Sequence, residues 1–181
     1  MPVEVVADVP VLVAALSGIG PGAVAFPATP PRSGQPEVDA LGVFAYPDKN
    51  FALNMSDEIV EGVVVTLRDT HGLAWSAGQV DRAIEVLSGL AAATSGGLIT
   101  PEFSMQIPTT VGLSAIQGIR AAASHELGNP RVVVTSDPAA LRLDPFAPRG
   151  IPHPPDQPIA ILSPAAFTAA AERARWKLRP A

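Results

Sequence analysis

The chain has 181 residues, 48% hydrophobic, 16% charged and 5% aromatic; that suits one domain with an aliphatic core and excludes global disorder. A net charge of −5 argues against general affinity for nucleic acid, and the lack of cysteine excludes disulfides, thiolate metal sites and cysteine nucleophiles. With no leader-like start and no apolar run near the roughly 20 residues of a membrane span, a cytoplasmic protein, or a particle assembled in the cytoplasm, is expected.

In chain order, Asp8, Val9 and Pro10 predict a helix start, because an aspartate accepts from free amides and proline is tolerated in the first turn. Val9, Leu12, Val13 and Leu16 follow at helical spacing until Gly18, Gly20 and Pro21 stop the helix. Residues 22–26 suit a short strand. Residues 27–38 form a Pro-rich loop. A β-meander is predicted next, with strands at 41–46, 51–55, 61–68 (EGVVVTLR) and 73–75 and turns at 47–50 and 69–72.

Ser76 and Gln79 form a capping box for a helix at about 77–94, which is expected to bury Val80, Ala83, Ile84, Leu87, Leu90 and Ala91. Strand-like segments at 98–99 and 103–107 precede a second helix at about 110–127, expected to bury Leu113, Ile116, Ala123 and Leu127. Ser114, Gly118 and Ala122 give it a small-residue stripe that admits a close neighbour. RVVVT at 131–135 is a short strand, plausibly central, and residues 144–158 form a second Pro-rich loop. A strand at 159–162 and a last helix capped by Ser163 and Pro164 complete the chain. The fold expected is a single α+β domain over 1–181, a mixed, largely antiparallel sheet with three to four helices packed on it.

Candidate chemistry is sparse. His125, Glu126, Leu127, Gly128 and Asn129 resemble the zinc-metallopeptidase helix, which places two histidines one turn apart with a glutamate beside the metal-bound water. Asn129 stands where the second histidine belongs, and Pro130 ends the helix, so a histidine at a helix C-terminus accounts for the segment. Asp69 and His71 flank a turn and suit an acid–base pair, although turns recruit aspartate for backbone reasons alone. The glycines at 18, 20 and 22 follow a helix rather than a strand, unlike a dinucleotide-binding loop. Ser114 lacks the second glycine of a nucleophile elbow. No catalytic residue, metal site or cofactor is assigned; His125, Glu126, His71 and Asp69 are the candidates.

The features least explained by folding are the two Pro-rich loops and an uneven charge. Residues 1–119 carry four basic and twelve acidic side chains, residues 120–181 eight and five. Prolines lose little entropy on ordering against a partner. The function expected is therefore a non-catalytic structural or assembly subunit of a larger oligomer, such as a connector or tail component of a phage-like particle. It would bind protein partners or copies of itself through Pro30, Pro31, Arg32, Pro148, Arg149, Pro152, His153 and Pro154, with Arg175 and Trp176 on a basic C-terminal helix. The alternatives are a small metal-dependent hydrolase built on the HELGN segment and a small-ligand or regulatory binding domain. No membrane contact is expected, and nucleic acid is disfavoured.

Overall fold

The computed structural model describes residues 2–26, 33–45 and 50–177. Val3–Ala7 forms strand β1, whose last three residues are buried. Asp8 then accepts a hydrogen bond from the Val11 amide and starts helix α1 (Val9–Ile19), with Pro10 in its first turn. Helix α2 (Pro36–Gly42) runs into a 3₁₀ turn, Val43–Ala45, and strand β2 (Phe51–Met55) follows. Helices α3 (Asp57–Arg68) and α4 (Ala77–Ala93) lead to the two-residue strand β3 (Gly97–Leu98). After a long connection come helix α5 (Leu113–Ala122), strand β4 (Arg131–Val134), the single-turn helix α6 (Pro138–Leu141), strand β5 (Ala160–Leu162) and helix α7 (Pro164–Lys177).

The strands form one sheet in the order β3-β2-β1-β4-β5, and every pairing is parallel. Seven helices accompany it among the described residues. The largely antiparallel sheet with three to four helices is therefore corrected. Outside the sheet, Phe146 and Ile159 make one isolated antiparallel bridge.

Two segments account for the difference. Residues 41–46 read as a strand, but 41–45 end α2 and form the 3₁₀ turn. Residues 61–68, dense in valine, lie in α3. There the Ser56 hydroxyl accepts from the Ile59 amide, Asp57 and Glu58 sit in the first turn, and Arg68 sits in the last, all matching the helix dipole. Ile59, Val63 and Leu67 recur every four residues and are fully buried. Burying three such side chains stabilises by about 6 kcal/mol, whereas several β-branched residues in a helix cost only about 2 kcal/mol together. Tertiary burial wins. With α1, α2, α3 and α4 between the early strands, parallel crossovers are long enough.

The local expectations at caps are met. Ser76 and Gln79 exchange both hydrogen bonds of the capping box, and Ser163 accepts from Ala166 at the start of α7. β4 is an interior strand, buried at all four residues. The small face of α5 does admit a close neighbour: a Cβ on Gly118 would lie 3.4 Å from Val133 Cγ1 and 3.6 Å from Asp8 Cβ. Leu113, by contrast, is 68% exposed rather than buried. Segments 22–26, 73–75 and 103–107 carry no strand.

The Pro-rich loop at 144–158 packs on its own domain. Phe146 is buried, Gln106 donates its amide to the Arg149 carbonyl, and Asp144 accepts from the Ile161 amide. Most of the core lies between sheet and helices, and Phe167 of α7 sits against the rings of Phe44 and Phe51.

Candidate functional site

In a parallel sheet whose chain winds outward in two directions, the carboxyl ends of the two strands flanking the reversal diverge and leave a crevice. Here the reversal lies between β1 and β4. β1 leads outward through β2 to β3, and the chain then crosses back to β4 and β5. Both strands are short β-branched runs, and each delivers an aspartate just past its end: Asp8 after β1, Asp137 three residues after β4. A crevice of about 350 Å³ opens there, lined on its polar side by Asp8, Ser114, Ser136 and Asp137. Pro10 and Leu113 supply apolar lining.

Each carboxylate is held by the fold. Asp8 is 2% exposed; its Oδ1 accepts from the Val11 amide at 3.3 Å and its Oδ2 from the Thr135 hydroxyl at 2.5 Å. Burial, with a smaller contribution from the charge of Asp137, outweighs those hydrogen bonds and pushes its pKa up to about 6. Asp137 Oδ1 caps α6 through the amides of Ala139 and Ala140, and its Oδ2 accepts from the Gly112 amide at 3.1 Å. The bond from Ala140 leads the interactions that hold its carboxyl below the usual range. Gly112 is what allows this approach, because a Cβ there would stand 2.6 Å from Asp137 Oδ2.

The buried Thr135 links the pair. Its hydroxyl donates to Asp8 and accepts from the Asp137 amide at 3.0 Å. A carboxylate offers about four lone pairs. After these bonds two remain free on Asp8 and one on Asp137. The arrangement is two hard, anionic oxygen donors beside two hydroxyls in an open crevice. Such donors suit a hard divalent cation, and magnesium in particular is commonly held by one or two carboxylates with water and a phosphate ligand completing the shell.

The residues singled out from sequence lie elsewhere. α5 ends at Ala122, so His125 and Glu126 stand exposed on a turn, where the Glu126 carboxylate accepts from the Thr100 amide at 3.0 Å. That bond holds the Glu126 carboxyl below its usual range. Asp69 accepts from the backbone amide of His71, not from its ring, in an exposed turn after α3. Among the described residues no three histidine, aspartate or glutamate side chains gather to hold a metal. Pro148 is half-buried, whereas Arg149, Pro152, His153 and Pro154 are exposed on the packed loop. Pro30, Pro31 and Arg32 lie outside the described residues, as do the side chains of Arg175 and Trp176.

Asp8 was legible only as a cap, and Asp137 was not singled out at all. A usable signal was present: an aspartate directly after VEVVA and another shortly after RVVVT. Comparison with models of protein families, with curated proteins and with solved structures returns no match for this chain. Among the described residues no helix is long and apolar enough to cross a membrane.

Proposed function

We propose that this chain binds a divalent cation of the magnesium class between Asp8 and Asp137 and, through it, the oxyanion of a small phosphate ester, as a metal-dependent hydrolase does. The observation that carries the reading is the pair of anchored carboxylates meeting at the carboxyl ends of β1 and β4 in an open crevice. Two carboxylates leave most of the cation's shell to water and ligand, the condition for Lewis-acid polarisation and for lowering the pKa of a bound water. Thr135 orients Asp8, and the α5 amide at Gly112 orients Asp137. Ser114 and Ser136 supply hydroxyls for the ligand's oxygens.

Calorimetric titration of the full chain with Mg²⁺ and Mn²⁺ tests this. One saturable site is expected, weakened at least about tenfold in Asp137→Asn, since losing one of two anionic ligands removes about 1.4 kcal/mol or more. The amide keeps an oxygen for the α6 cap but gives up the bond from Gly112, so circular dichroism and urea denaturation of the variant accompany the titration. A wild-type chain that takes up neither cation at millimolar concentration removes the reading.

A second reading, an assembly subunit engaging neighbours through its Pro-rich loops, is supported by the exposure of Pro152, His153 and Pro154 on the otherwise anchored loop. Light scattering on the same samples addresses it. A strict monomer at every concentration rules out self-assembly.

A further inference from the structure

Six large hydrophobic side chains are exposed among the described residues: Val24, Val65, Leu73, Leu98, Phe103 and Leu113. Only Leu113 also lines the crevice at the carboxyl ends of β1 and β4. It occupies the first position of α5, next to the Gly112 amide that holds Asp137. Folding gives no reason for a leucine there; it is 68% exposed, and a first helical turn favours small, acidic or proline residues. Pro10, exposed and two residues beyond Asp8, lines the same crevice. Pro10 thus follows Asp8 on one wall, and Leu113 sits on α5 next to the Gly112 amide that holds Asp137.

Resting on the cation reading above, we infer that the crevice selects phosphate esters carrying an apolar group, with Leu113 as the residue that sets this preference. The oxyanion is held through the cation, and the apolar group covers Leu113 and Pro10, releasing water from surface that the fold leaves wet. Covering roughly 55 Å² of that surface is worth about 1.4 kcal/mol, or about tenfold in affinity. The acidic balance of the whole chain, −5, fits a small ligand better than a polyanion.

The test compares phenylphosphonate with methylphosphonate, whose carbon–phosphorus bonds resist hydrolysis, on the Mg²⁺-loaded full chain. About tenfold tighter binding of the phenyl compound is expected. Leu113→Ala should cut that preference to about threefold or less, while Leu113→Met keeps it. If the two compounds bind wild type equally, or if Leu113→Ala keeps the preference, the selectivity assigned to Leu113 is wrong while the cation reading stands. If Mg²⁺ binds and neither phosphonate does, the inference falls with the phosphate part of that reading.

Discussion

β4 has a buried charged residue at one end and a hydroxyl serving a buried charge at the other, and the two ends are built differently. At its start, the Arg131 guanidinium donates to the carbonyls of Gly128, Ala122, Ser124 and Leu127, closing the turn that follows α5. Arg131 is 6% exposed, four of its five N–H donors are spent on backbone carbonyls, and burial lowers its pKa. Just past its other end, Thr135 donates to Asp8, and Asp8 and Asp137 line a crevice with hydrogen-bonding capacity left over. A charge whose donors are nearly all spent on backbone holds structure together. A charge satisfied on one side and open on the other has capacity left for a ligand.

The largest effect is expected at the closed end. Arg131→Met should cost about 4 kcal/mol, because it strands buried carbonyls that a charged donor had satisfied. Urea denaturation measures this, and a loss below about 1 kcal/mol would mean that the guanidinium is not a structural clamp.

At the open end the effect depends on pH. The Asp8 carboxyl has a folded pKa of about 6 against an unfolded value of 3.8, so its contribution to stability is fully present below pH 3.8 and is lost as the pH rises through 6. Asp8→Asn carries no charge to lose. With chelator present, its stability relative to wild type should rise by about 2 kcal/mol between pH 4 and pH 7.5. A difference independent of pH would falsify the assignment of a destabilising buried charge. The smallest effect belongs to Glu126→Gln in the exposed turn. It should leave cation affinity at the crevice unchanged in the same titration, and a large drop would return attention to the HELGN segment.

What the residues disclosed in advance follows from the range of each signal. Caps at Asp8, Ser76 and Ser163 depend on neighbours three residues away, and they were legible. So were strands at 51–55, 131–135 and 159–162, where short apolar runs are bounded by turn residues. α3 was not legible, because EGVVVTLR satisfies the strand preference locally and only the burial of Ile59, Val63 and Leu67 against the rest of the chain decides for a helix. The parallel pairing was hidden for the same reason. The site shared that fate: Asp8 and Thr135 stand 127 positions apart, and nothing near either one announces the other.

That separation also bears on how the molecule is made. β1 lies at the middle of the sheet, paired with β2 on one side and β4 on the other. On a ribosome its valines emerge ahead of the other strands of the sheet, and the partner for its second edge arrives 127 residues later. At about 5–20 residues per second that is a wait of roughly 6–25 s. During that interval an apolar edge with free amides and carbonyls is exposed to other nascent chains. The strand on which the sheet is founded is therefore the one in most need of shelter during synthesis.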